Sequence, residues 1–92
     1  MCDICGNRYA EDTHHLISGR GLRNLADEDG LIISLCPDCH TMGSMALHKS
    51  NTAVTLSKML GQAIYERDQV ATGKTVEEAR EMFLRRYGRC WL

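Results

Sequence analysis

Two C-x-x-C pairs, Cys2/Cys5 and Cys36/Cys39, limit what this 92-residue chain can become. Each pair can set two thiolates about 2.3 Å from one zinc ion, and the four together close a tetrahedral shell. The composition shows why such a brace is needed. With one Phe and one Trp, and a length that buries only about 60–65% of the unfolded surface, apolar packing is thin, and a structural metal is a common remedy. In a reducing compartment, paired C-x-x-C motifs read as metal thiolates rather than disulfides. A closed four-thiolate shell has no open position and hydrolyses nothing.

The histidines discriminate between uses of that brace. All four lie in the same half of the chain: His14 and His15 adjacent, His40 directly after Cys39, and His48 at the end of the stretch LCPDCHTMGSMALH. A rubredoxin-like iron site in the thiolates, with electron transfer as the function, is the main rival to zinc and leaves these imidazoles unexplained. A pair of imidazoles plus a third ligand can hold a divalent ion with an open position, where it acts as a Lewis acid. A fourth imidazole nearby can take a proton from water, because imidazole ordinarily titrates near neutral pH. Each histidine taken alone is equally an ordinary polar surface residue, and it is the gathering of four that favours a site. In a regular strand His14 and His15 point to opposite faces, so both serve one site only where the strand ends or distorts.

One domain is expected over residues 1–92, with a zinc-knuckle module over 1–50 and a helical extension over 51–92. MCDICGNR reads as a metal knuckle turned by Gly6. Short strands are expected at Thr13–Ile17 and Leu31–Leu35, joined by a glycine-rich and acidic surface loop over 18–30. Pro37 suits a knuckle or a first helical turn. A helix capped at Asn51 is expected to run to about Ala71, with Leu56, Met59, Leu60, Ala63 and Ile64 on its buried face. A second starts at the capping box Thr75–Glu78 and buries Val76, Ala79, Phe83 and Tyr87. Cys90 reads as a small buried residue beside Trp91.

The formal net charge of −1 exerts no strong pull on nucleic acid by itself. Arg20, Arg23, Lys49, Lys58 and the group Arg85, Arg86 and Arg89 are available for phosphate contacts, and each is equally an ordinary solvated residue. No run approaches the roughly 18 apolar residues of a membrane span, and MCDICGN lacks a signal-peptide layout. A cytoplasmic protein with no membrane contact is expected.

The order Cys2-x-x-Cys5, His14-His15-Leu16, a polar loop, a short apolar strand and Leu35-Cys36-x-x-Cys39-His40 resembles the HNH endonuclease (ββα-metal) superfamily in its zinc-supported form. The longer pattern HHLISGRGLRNLADEDGLIISLCPDCH, followed by GSMALH, is similar to small phage and prophage HNH-type proteins related to RecA-dependent recombination-enhancement nucleases, and the likeness covers nearly the whole chain. It implies an α+β fold in which a ββα-metal core is braced by a four-cysteine zinc knuckle and followed by two carboxy-terminal helices. It further implies a divalent-metal-dependent phosphodiester hydrolase acting on DNA, encoded by a phage or its bacterial host. His14, His40 and His48 would be ligands of a catalytic Mg, Mn, Ni or Zn, and His15 the general base. Arg20, Arg23 and Lys49 would meet the nucleic acid. A recombinase filament or a homodimer is an implied partner. Where that family's middle Asn is usual, Gly30 and Leu31 stand here, so Asn24, or an acid such as Asp29, is the expected substitute that orients the loop. His40 and His48 are also eight residues apart, which requires a bend through Gly43. The alternative function is a zinc-stabilised module that binds nucleic acid or protein without cutting.

Overall fold

The two apolar segments pair as an antiparallel hairpin of β1 (Asp12–His15) and β2 (Ile32–Leu35) in the computed structural model, which describes residues 1–7, 9–42 and 46–92. The register sets Asp12 opposite Leu35 and His15 opposite Ile32. One further bond, from Leu16 N–H to the Leu31 carbonyl at 2.9 Å, extends the pairing past the strand ends. The knuckle is stitched to the same hairpin. Asp3 N–H donates to the Ser34 carbonyl, and Ser34 N–H donates to the Asp3 carboxylate, both at 2.8 Å. Cys2 N–H closes the knuckle on Asn7 O at 2.7 Å, and Gly6 takes φ 78°, a left-handed value that favours glycine.

The segment 18–30 is not the plain loop expected. It contains α1 (Leu22–Glu28), a short helix that turns Ala26 fully inward, with Leu22 and Leu25 packed on the same core. Their i, i+3, i+4 spacing outweighs the flanking glycines. After β2 the chain makes a π-helical turn (Asp38–Met42) and a single 3-10 turn (Leu47–Lys49). The bend expected at Gly43 lies outside the described residues. The helices α2 (Asn51–Ala71) and α3 (Val76–Tyr87) follow. Ser50, rather than Asn51, caps α2, its hydroxyl accepting from Ala53 N–H at 3.2 Å. On α3 the capping box is present with both of its bonds, from Glu78 N–H to the Thr75 hydroxyl at 3.1 Å and from Thr75 N–H to the Glu78 carboxylate at 3.0 Å. The Thr75 donors hold the Glu78 carboxyl below its usual range.

The expected buried face of α2 is right only in part: Ile64 packs on the larger core cluster and Met59 is half-buried, but the other three positions face solvent. Leu56 and Leu60 are 56% and 47% exposed and Ala63 is exposed, whereas Ser57, Gly61, Gln62, Tyr65 and Glu66 face inward. Small size and hydrogen bonding choose this face. A Cβ at Gly61 would lie 2.7 Å from Ile17 Cγ1 and 3.2 Å from Leu16 Cβ, so only glycine lets α2 approach the end of β1 so closely. Buried Gln62 accepts from Trp91 N–H and Leu92 N–H at 2.7 and 3.1 Å and donates to Glu66 at 2.6 Å, which fastens the tail. Gly61→Ala is therefore expected to destabilise the fold by about 1–2 kcal/mol, the overpacking cost exceeding the helix-propensity gain. The thermal midpoint should drop by roughly 4–16 °C, and an unchanged midpoint would contradict so tight an approach.

Among the described residues the core has two parts. Leu16, Ile17, Ala26 and Leu31 pack with Tyr65, Phe83 and Tyr87, while Cys2, Leu35, Cys36 and Leu47 form a second, smaller cluster around the thiols. Of the apolar positions expected to be buried on α3, Ala79, Phe83 and Tyr87 are, and Val76 is exposed. Cys90 is half-buried and packs with Trp91 on the larger cluster. The end of α1 is clasped to α3. Arg86 Nε and Tyr87 Oη donate to Asp29 Oδ2 at 2.7 and 2.6 Å, and Arg86 also reaches Glu28 at 2.9 Å. Burial and the Asp29 carboxylate push the Tyr87 hydroxyl up from its ordinary range. Among the described residues no helix is long and apolar enough to cross a membrane.

Candidate metal centres

The hairpin and the knuckle bring Cys2, Cys5, Cys36 and Cys39 together, with all four sulfur atoms within 4.8 Å of one another. None is in a disulfide. Cys5 Sγ and Cys36 Sγ are 3.6 Å apart. Zinc with four sulfurs at about 2.3 Å requires an edge of about 3.8 Å, so the cluster fits a structural zinc ion. Its electrostatics agree with that fit. The Cys5 backbone amide leads the hydrogen bonds that draw Cys2 down to about 6. The Cys39 thiol, sharing protons first with Cys36 and then with Cys5, is pushed up to about 12. Four crowded thiols cannot all ionise unless a cation joins them, which is the condition for a metal thiolate.

The second group lies on the other side of Cys39. His14 from β1, His40 from the π-helical turn and His48 from the 3-10 turn place one ring nitrogen each within 4.8 Å of the others. His40 Nε2 and His48 Nε2 are 2.9 Å apart, near the edge of about 3.3 Å that metal–nitrogen bonds of 2.0–2.1 Å require. Hydrogen bonds assign the ligating atoms. Ser57 donates its one hydroxyl proton to the Leu16 carbonyl at 2.7 Å, so it must accept from His14 Nε2–H, 2.9 Å away. The His14 lone pair is then on Nδ1. His40 donates from Nδ1 to Asp12 Oδ2 at 3.0 Å, which leaves Nε2 for a metal. Burial, followed by the neighbouring imidazoles His48 and His40, pushes His14 down to about 4. Burial and His40 also lower His48. Both rings are thereby held in the neutral, ligating form.

Ser57 and Asp12 orient two candidate ligands of this group, His14 and His40, as hydrogen-bond partners commonly do around metals. Ser57→Ala should leave His14 free to change tautomer and weaken binding of Zn²⁺ at the triad by roughly 10–100-fold. Competition against a chromophoric chelator, with the four-thiol site already filled, measures the loss. Equal affinity in the two proteins would show that the Ser57 bond does not set the His14 tautomer.

His15 takes the opposite face of β1 from His14, as strand alternation demands, yet both line one cleft of ≈ 260 Å³ with Thr13, Ser18, Arg23, His40 and His48. His15 is held from α1 and does not join the triad. Arg23 Nε donates to His15 Nδ1 at 3.4 Å, and Asp27 Oδ1 lies 3.4 Å from His15 Nε2. The expected orienting residue Asn24 stands exposed on that helix. Asp29, the other substitute considered, is bound to Arg86 and Tyr87, so the carboxylate beside the ring is Asp27. Of the three basic residues expected to meet nucleic acid, Arg23 lines the cleft, while Arg20 and Lys49 are exposed outside its lining. Sequence reasoning missed Asp12, Asp27 and Ser57. Only Asp12, two residues before His14 on the same strand and so on the same face, carried a local signal.

The fold and these sites define a small α+β protein with, among the described residues, two candidate metal centres, a four-thiol one beside the hairpin and a three-imidazole one in a cleft. Compared with family models, curated proteins and solved structures, the chain finds no match.

Proposed function

We propose that this protein is a metal-dependent endonuclease of the HNH type that hydrolyses DNA phosphodiester bonds. The observation that carries the reading is the convergence of three imidazoles on one point, two of them oriented by Ser57 and Asp12, with a fourth imidazole outside the set lining the same cleft. His14, His40 and His48 would hold a divalent cation, which when bound supplies Lewis-acid stabilisation to phosphoryl oxygen. His15 takes a proton from water at Nδ1. Asp27 Oδ1 stands 3.4 Å from Nε2, and its negative charge favours the proton on that nitrogen. The water oxygen bonds to phosphorus as the P–O3′ bond breaks, and the departing 3′ oxygen takes a proton from solvent. Cys2, Cys5, Cys36 and Cys39 would hold a structural zinc ion that sets the start of the π-helical turn bearing His40.

The near-neutral charge supplies little general affinity for DNA, so a partner such as a recombinase filament or a second copy of the chain belongs in the assay. The test is supercoiled plasmid incubated with zinc-loaded protein and Mg²⁺, Mn²⁺, Ni²⁺ or Zn²⁺, with and without a recombinase filament, against His40→Ala. Nicked or linear plasmid is expected from the wild type and none from the variant. If plasmid stays intact with every metal and partner, the nuclease reading fails and a zinc-stabilised binding module takes its place.

A further inference from the structure

The contact between Arg23 and His15 reaches beyond that reading while resting on it. A neutral imidazole has one N–H and one lone pair, and a guanidinium can only donate. With Arg23 Nε at Nδ1 and the Asp27 carboxylate at Nε2, the proton sits on Nε2 and the lone pair on Nδ1. The lone pair that would accept a proton from water is therefore covered by Arg23. The cover is loose. At 3.4 Å it lies beyond the usual hydrogen-bond range of about 2.7–3.2 Å. Arg23 is also exposed on α1 and lines the cleft, within reach of a ligand that enters it.

We propose that Arg23 is a displaceable cap on His15, drawn away by an anionic phosphoryl oxygen entering the cleft, so that His15 Nδ1 opens to water only when substrate is bound. A guanidinium exchanges a long contact with a neutral ring nitrogen for short, charge-assisted and often bidentate bonds to phosphate oxygens, so the exchange is favourable. The same side chain thus selects a phosphorylated ligand and uncovers the base. Asp27 lies beside the opposite edge of the ring, 3.4 Å from Nε2, so its charge favours the proton on that nitrogen and the lone pair on Nδ1.

Two measurements on the full-length, zinc-loaded chain test this. In the first, inorganic phosphate is titrated into ¹⁵N-labelled protein while the His15 ring nitrogens and Arg23 Nε are followed by NMR. Both His15 Nδ1 and Arg23 Nε should shift together and saturably, and the His15 response should vanish in Arg23→Ala. Phosphate that moves neither nitrogen, or moves His15 equally in Arg23→Ala, overturns the proposal. In the second, plasmid cleavage by Arg23→Ala should lose chiefly in KM, by roughly 10- to 100-fold, as expected for one lost charged contact. A loss confined to kcat would overturn the cap. If the wild type cuts nothing yet phosphate moves the two residues together, the nuclease reading falls and the cap stands.

Discussion

Cys36→Ser is expected to abolish zinc binding at the four-thiol centre and to unfold the hairpin with its knuckle. Cys36 is buried at the end of β2, in a cluster whose other members are Cys2, Leu35 and Leu47. Two of those four residues are proposed ligands, so removing the ion also removes what holds the cluster closed. Structural zinc contributes an apparent 10–16 kcal/mol in small domains, roughly, at neutral pH, against a total stability of about 5–15 kcal/mol for a typical domain. A hydroxyl in place of one thiolate cannot replace that term. Metal analysis of the purified variant should show one zinc fewer per chain than the wild type. Amide exchange should show lost protection across β1 and β2, and Cys2→Ser should behave alike. A variant that kept its zinc and its thermal midpoint would mean that the thiols are not a structural centre. Iron in place of zinc in the wild type would point to electron transfer.

What could be read from the sequence and what could not divides along the range of the interactions. Cysteine spacing is set by the ligand geometry of a single ion, so the four-thiol group was visible in the residue order. The capping box at Thr75 and Glu78 is a local bond pair and was visible for the same reason. The inward face of α2 was not, because Ser57, Gly61 and Gln62 are chosen by partners far away in the chain. Ser57 meets His14 and Leu16, Gly61 meets Ile17, and Gln62 meets the tail. None of these residues is apolar, so a search for hydrophobic spacing picks the other side of the helix, where Leu56 and Leu60 stand exposed. Helix α1 escaped notice because glycines before and after it dominate the local signal. With it went the identity of the His15 partners, since Arg23 and Asp27, four residues apart, both come to His15 only when those residues are helical.

The largest functional effect is expected from His15→Ala, which should reduce plasmid cleavage by roughly 10²- to 10⁴-fold, the usual contribution of a positioned general base. Metal and fold should survive, because His15 touches Arg23 and Asp27 but none of the three converging imidazoles. His14, its neighbour, has the opposite profile. It is buried and locked to Ser57, so its loss would remove a proposed metal ligand and a core hydrogen bond together. The adjacent pair therefore gives an internal control within one strand. His15→Ala should keep the zinc content, thermal midpoint and triad metal affinity of the wild type while losing turnover, whereas His14→Ala should lose metal affinity as well. Asp27→Asn removes the carboxylate charge 3.4 Å from Nε2 while leaving the His15 lone pair in place, and should fall between wild type and His15→Ala. Should His15→Ala cut plasmid at the wild-type rate with the same metal, the base must be another group, and the arrangement of Arg23 and Asp27 about His15 would have no part in the chemistry.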